Sequence, residues 1–310
     1  MKILVTGSRG LVGKNVSNYL QKRNPKFKVI TTNRSETDLF SFNETKKLLH
    51  DTKPNILVNC AAKVGGIYAN NTKRTQFLLE NLKINSNLLE ATIGLEDIKI
   101  INLGSSCIYP LDAPNPIKES SFMNGILEPT NSPYAMAKLT AIELGRAISA
   151  EYGHKILNLM PTNLYGPYDN FSPTDSHVIP GLMYRMHMSK IANEKSFKIW
   201  GTGKPQREFL YVEDFSDSIN FLINTEWEED LINIGSGEEI SIKQLAELLK
   251  EITEYKGVLE FDDTKPDGNP RKLLDSSLIF EKGWKPKTLL IEGLAKTYNW
   301  FQNNFEKIRL

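Results

Sequence analysis

Short apolar runs alternate with amphipathic stretches through the first half of the chain. Residues 3–6 (Ile-Leu-Val-Thr) are an apolar run, and 11–23 follow with Leu11, Val12, Val16, Tyr19 and Leu20 on one helical face. The same beat predicts strands over 27–31, 55–60, 99–103 and 155–160, and helices over 44–50, about 72–93 and 134–152. Strands that read as apolar throughout, each divided from the next by a helix, predict a parallel sheet covered on both faces. After Pro161 the rhythm breaks. Residues 166–176, rich in Pro, Asp, Asn and Ser, predict a loop, and a helix begins near 178. Strands over 208–212 and 231–234, a helix over 241–252, a turn at 265–269 and a last helix over about 290–305 complete the pattern. No repeat, low-complexity tract or linker interrupts it. The expectation is an α/β fold: a doubly wound parallel sheet from 1–165 plus about 195–235, with a smaller interleaved α/β lobe from about 166–194 and 236–310.

Composition narrows the classes of function. A chain of 310 residues can bury a large core. Lys and Arg number 38 against 37 Asp and Glu, so the net charge of +1 gives no broad electrostatic case for nucleic acid or an anionic membrane. No apolar run approaches the length of a membrane span. The first residues pass straight into a strand pattern, so no secretory signal is read. Two cysteines, Cys60 and Cys107, are too few for a disulfide framework, and a reducing cytoplasm is the expected compartment.

The glycines at 7, 10 and 13 lie between the first strand and the first helix. There the chain must turn sharply, the backbone must approach a pyrophosphate, and helix must pack closely on strand. A glycine pattern alone is weak, and a tight turn with no ligand is its bland explanation; the strand-to-helix context favours a Rossmann-type dinucleotide site. After the second strand the sequence is Thr31-Thr-Asn-Arg34, without the carboxylate that would bind a free ribose 2′-hydroxyl. Arg9 and Arg34 suit a 2′-phosphate, which points to NADPH. Solvated surface arginines are the ordinary alternative, and Glu36 and Asp38 lie close enough to keep NADH open.

Tyr134 and Lys138 are one helical turn apart in Ser132-Pro-Tyr-Ala-Met-Ala-Lys138, downstream of Gly104-Ser-Ser-Cys-Ile-Tyr109. A phenol beside an ammonium, with the Ser105 hydroxyl nearby, can protonate a carbonyl oxygen while a nicotinamide delivers hydride to its carbon. Such a pair arises by chance in many helices; with a glycine loop and Ser105 in order, coincidence is improbable. Cys107 would by default be core packing. Two residues beyond Ser105 in an extended segment, it would face the same way as Ser105. His177 opens the helix near 178. Cys60, in Asn-Cys-Ala-Ala, reads as structural.

Further stretches make the pattern specific: Ala61-Ala-Lys-Val-Gly-Gly-Ile67, Ala69-Asn-Asn-Thr72, Leu103-Gly-Ser-Ser-Cys-Ile-Tyr-Pro110, Leu127-Glu-Pro-Thr-Asn131, Met160-Pro-Thr-Asn-Leu-Tyr-Gly-Pro167, Asp169-Asn-Phe171, Ser176-His-Val-Ile-Pro180, Arg207-Glu-Phe209, Lys265-Pro-Asp-Gly268 and Pro270-Arg-Lys-Leu-Leu-Asp275. With these, nearly the whole chain resembles the extended short-chain dehydrogenases/reductases, and within them the GDP-L-fucose synthase family of GDP-4-keto-6-deoxymannose 3,5-epimerase/4-reductases. The resemblance implies a GDP-linked 4-keto-6-deoxy sugar as substrate, NADPH as cofactor and no metal. It implies that Ser105, Tyr134 and Lys138 grip the C4 carbonyl, while Cys107 and His177 move protons at C3 and C5. Cofactor contacts would come from Gly7, Ser8, Arg9, Gly10, Leu11, Val12 and Gly13, from Asn33, Arg34 and Leu39, and from Leu103, Gly104, Ser105 and Ser106. Lys138, Pro161, Thr162, Asn163, Leu164 and His177 would complete them. Arg185, Trp200, Arg207 and Asp275 would hold the GDP-sugar. The glycine loop and Tyr-x-x-x-Lys are shared by epimerases, dehydratases and reductases alike, so a C4 reductase alone, or one acting on a related heptose, stays open; a non-catalytic dinucleotide sensor is the remote alternative. Reductases of this type pair through two long helices, here about 72–93 and 134–152, so a homodimer is expected.

Overall fold

The computed structural model describes residues 1–173, 175–265 and 267–309. In chain order the large sheet and its helices are β1 (Lys2–Thr6), α1 (Leu11–Arg23), β2 (Lys28–Thr31), α2 (Phe42–Thr52), β3 (Ile56–Asn59), α3 (Ile67–Thr72), α4 (Arg74–Glu90), β4 (Lys99–Leu103), α5 (Ser132–Tyr152) and β5 (Lys155–Pro161). There follow β6 (Asn163–Tyr165), α6 (Val178–Ile191), β7 (Ser196–Trp200), β8 (Gln206–Tyr211), α7 (Val212–Ile223), β9 (Leu231–Ile234), β10 (Glu239–Ser241), α8 (Ile242–Thr253), β11 (Val258–Asp262), β12 (Arg271–Lys272), α9 (Ser277–Glu281) and α10 (Leu290–Asn303). The large sheet runs β2-β1-β3-β4-β5-β9 with every neighbour parallel.

Alternation along the strands builds two cores. Ile3, Val5, Val58, Ile101, Leu157 and Ile232 face one layer with Val16, Leu20, Phe215 and Ile219 of α1 and α7. Leu4, Leu57, Ile100 and Ile156 point the other way, against Leu49, Ile84, Leu88, Ala141 and Ile148 of α2, α4 and α5. The large-sheet strands are not apolar throughout, however. Asn59 accepts from Thr6 Oγ1 at 2.9 Å and donates to Asn102 Oδ1 at 2.9 Å and Asn85 Oδ1 at 3.0 Å; Asn102 donates to Asn158 Oδ1 at 3.0 Å. This row of buried amides crosses four neighbouring strands and satisfies itself, so polar groups sit in the core without the cost of an unmade hydrogen bond.

The smaller lobe holds two further sheets, β10-β8-β12 with β6 on β8, and β11-β7. Its core is aromatic: Tyr165, Phe171, Phe209, Tyr211, Tyr298 and Phe301 are buried together. The return to the large sheet expected over 195–235 therefore begins later. Residues of β7 and β8 build the small sheets, while α7 and β9, together with Leu210 of β8, pack into the core of the large one. The helix expected over about 72–93 is α4, Arg74–Glu90, and the short helix α3 ends just before it at Lys73, where φ is −113° and ψ 34°. The 265–269 turn and 166–176 loop include Pro266 and Thr174, which lie outside the described residues. Among the described residues no helix is long and apolar enough to cross a membrane.

Candidate active site

In the large sheet the chain reverses its direction of winding between β1 and β3, and the crevice beyond the strands' carboxyl ends is where such sheets bind ligands. A cavity of about 930 Å³ occupies that place. Gly7 turns the chain at φ +65°, and a Cβ there would sit 2.7 Å from the Cys60 carbonyl oxygen. At Gly13 a Cβ would meet the Gly7 oxygen at 2.4 Å, so the third glycine lets helix press on turn and does not itself line the cavity. Gly10 is the N-cap of α1. No side chain caps that helix and its first turn holds no acid, which leaves its amide end free for an anion.

Arg9, Gly10, Leu11, Val12, Asn33, Arg34 and Leu39 line this end of the cavity. Arg34 lies over the Phe40 ring at 4.8 Å, a cation–π contact. The two carboxylates that keep NADH open are engaged locally: Glu36 accepts the Asn33 amide and Asp38 the Phe40 amide, both at 3.0 Å. Ser8 lies in an adjoining recess with Arg9, Lys14 and Asn33. The residues present thus fit a dinucleotide carrying an extra phosphate on its ribose.

The reacting end is built on α5 and on the turn after β4. Lys138 is 2 % exposed and its Nζ donates to the Leu103 carbonyl at 2.6 Å. Burial pushes its ammonium down to about 8, with a small opposing pull from Cys60. Tyr134 is buried with its ring edge-on to Phe77 at 6.3 Å. Burial foremost, then Cys107, raise the phenol, while the Ser105 hydroxyl works against them. Lys138 Nζ, held on the Leu103 carbonyl, lies 5.9 Å from the centroid of the Tyr134 ring. With its phenol raised, Tyr134 is a proton-bearing donor at neutral pH.

Ser105 is extended (φ −164°, ψ 146°), but Ser106–Ile108 then form a 3-10 turn, with Ser105 Oγ accepting the Cys107 amide at 3.2 Å. Cys107 reaches the cavity by that turn, and the expected strand-like alternation does not carry it there. Its Sγ accepts from Lys272 Nζ at 3.8 Å. His177 is the N-cap of α6 and lines the cavity. It is exposed because it borders an open cavity, although protein surrounds it. That enclosure, and next the charge of Arg309, push its imidazole down, so it is neutral and able to accept a proton near pH 7. Leu103, Gly104, Ser106, Pro161, Thr162, Asn163 and Leu164 line the wall between these groups and the glycine loop.

Of the expected substrate residues, Arg207 on β8 borders the cavity and the other three do not. Arg185 donates to the Lys198 carbonyl at 3.2 Å and lies over Phe197. Trp200 is 63 % exposed at the end of β7, and Asp275 accepts the Ser277 amide at 3.0 Å. Sequence reasoning passed over Lys272, Asp267, Asp169 and Arg309, all of which border the cavity. Lys272, Asp267 and Asp169 stand within motifs quoted above, which were the available signal; Arg309 had none. Asp169 is 4 % exposed with its Oδ2 unpaired, and burial raises its carboxyl to about 7.

Residues 3–235 match the NAD dependent epimerase/dehydratase family. The chain is 45 % identical to a probable GDP-L-fucose synthase of Oryza sativa subsp. japonica, over 98 % of this chain and 92 % of that one. It is similar to a solved GDP-L-fucose synthetase from Naegleria fowleri bound to NADP (30 % identity, TM-score 0.91, 100 % of this chain and 96 % of that one). It is also similar to a GDP-6-OMe-4-keto-L-xylo-heptose reductase from C. jejuni (30 % identity, TM-score 0.90, 98 % of each chain).

Proposed function

The chain belongs to the NAD dependent epimerase/dehydratase family, and we propose that it is an NADPH-dependent oxidoreductase that epimerises a GDP-linked 4-keto-6-deoxy sugar at C3 and C5 and reduces it at C4. The observation that carries this reading is a single cavity bordered by Tyr134, Ser105, Cys107 and His177, with the glycine loop and Arg34 at its other end.

The chemistry follows from the carbonyl. Carbons flanking a C4 ketone bear acidified hydrogens, and removing one places negative charge on the C4 oxygen. Tyr134 and Ser105 are the preorganised donors for that charge. Cys107 and His177 take and return the protons at carbon, work commonly contributing about 10²–10⁴-fold for a placed acid or base. Bound NADPH supplies the hydride for C4. Tyr134 then gives its proton to the oxygen, and the Lys138 ammonium one turn away offsets the charge left on the phenol. Arg9 and Arg34 hold the 2′-phosphate, and Arg207 faces the substrate diphosphate.

We place the enzyme in the cytoplasm, a reading supported by two free cysteines. We also assign it a homodimer built on α4 and α5. The activity is tested by NADPH oxidation with GDP-4-keto-6-deoxymannose in D₂O, with NMR of the product. Deuterium at both C3 and C5 is expected. Reduction without wash-in would replace the proposal with a C4 reductase, the second reading, which the similarity to the heptose reductase favours.

A further inference from the structure

Cys107 can take a proton from carbon only as a thiolate, and an ordinary cysteine is mostly protonated near neutral pH. The groups packed around it are unevenly charged. From α3 and α4 it meets Ala69 and Phe77, and from α5 the protonated Tyr134. From β12 it meets Lys272, whose Nζ is 3.8 Å from the sulfur. His177, Arg207 and Lys138, and the carboxylates Asp267, Glu128 and Asp169, border the same cavity without a hydrogen bond to the sulfur. Lys272 forms no ion pair among the described residues, so its ammonium is not neutralised by a carboxylate. Its place is fixed by the sheet: β12 pairs in parallel with β8, with Lys272 opposite Arg207. An ammonium at this separation, in a half-buried wall, attracts negative charge that develops on the sulfur.

We propose that Lys272 is a positioning residue that orients the Cys107 sulfur into the cavity and stabilises negative charge on it when Cys107 serves as the base for proton transfer at carbon. The proposal rests on the epimerase reading above. The thiol proton leaves to solvent. The thiolate then takes a hydrogen from the sugar carbon as a proton, forming S–H, and the C–H electron pair passes into the enolate held by Tyr134 and Ser105. Return of a proton from the opposite side of the ring completes inversion, and no oxidant or reductant is consumed.

The chain contains only one other cysteine, which makes the test direct. Burial pushes the Cys60 thiol up to about 12, so it should stay silent. Iodoacetamide alkylation of each cysteine is followed by peptide mass spectrometry as a function of pH, in the full-length wild type, Lys272→Met and Lys272→Arg. Lys272→Met should shift the Cys107 profile upward by about one unit, an alkylation rate about tenfold lower at pH 7, with Lys272→Arg restoring most of it. In substrate assays the acid limb of deuterium wash-in should move to higher pH by the same amount. Superimposable Cys107 profiles in wild type and Lys272→Met would overturn the proposal. If Lys272→Met fails to bind NADPH or to unfold cooperatively, Lys272→Gln makes the same comparison. The thiol measurement needs no substrate, so absent wash-in in the wild type would refute the epimerase reading and leave the thiolate result standing by itself.

Discussion

At the scale of single residues, the site works by moving protonation states away from their solution values. Lys138 is the clearest case. Its ammonium is held down to about 8 because it is buried, so it is charged below that pH and neutral above it. The charged form is the one that offsets the phenolate left when Tyr134 gives up its proton. Hydride transfer to a ketone should therefore fall as pH rises through about 8, and Lys138→Met should lose that limb together with about 10²-fold or more in rate. Stopped-flow NADPH oxidation across pH tests both. Arg34 carries a second expectation. Arg34→Ala should raise KM for NADPH by about tenfold, the size of one charge-assisted hydrogen bond, and leave NADH almost unchanged. An equal loss with both cofactors would remove Arg34 from the 2′-phosphate site.

Elements depend on residues whose side chains make little sense in isolation. Gly13 is glycine because α1 presses on the Gly7 carbonyl, and Gly7 because the turn needs a positive φ beside Cys60. The amide row from Thr6 through Asn59 and Asn102 to Asn158 ties four parallel strands below the catalytic turn. Asn102→Leu would leave Asn59 Nδ2 and Asn158 Oδ1 each short of a partner in a buried layer. A loss of about 2–4 kcal/mol in urea unfolding is expected, with weakened cooperativity. A change below about 0.5 kcal/mol would mean that the row is not a structural tie.

At the scale of the whole molecule, the large sheet presents the cofactor end and the small lobe closes the cavity over it with Arg207, Asp267 and Lys272. The outer helices α4 and α5 pack on each other, yet Leu79 is 49 % and Met136 46 % exposed. Apolar side chains left in water on long helices fit pairing with the same helices of a second copy. Light scattering after size exclusion should give a dimer, and Leu79→Glu with Met136→Glu should give a folded monomer. A wild-type monomer at micromolar concentration would remove the dimer.

The sequence by itself determined the parallel sheet, the bounds of α1 and of several strands, the glycine loop, and the grouping of Tyr134, Lys138 and Ser105 that the structure brings to one cavity. These are local: periodicity, a turn and one helical spacing write them directly into neighbouring residues. Tertiary structure alone decided the rest. Strands β6, β10 and β12 are only two or three residues long, too short to show a period, and each is hydrogen-bonded to β8. The asparagines at 59, 102 and 158 fall within expected strands, but only the neighbouring strands bring the partners that let them be buried. Lys272 lies 165 residues from Cys107, and only the pairing of β12 with β8 places an ammonium against that sulfur.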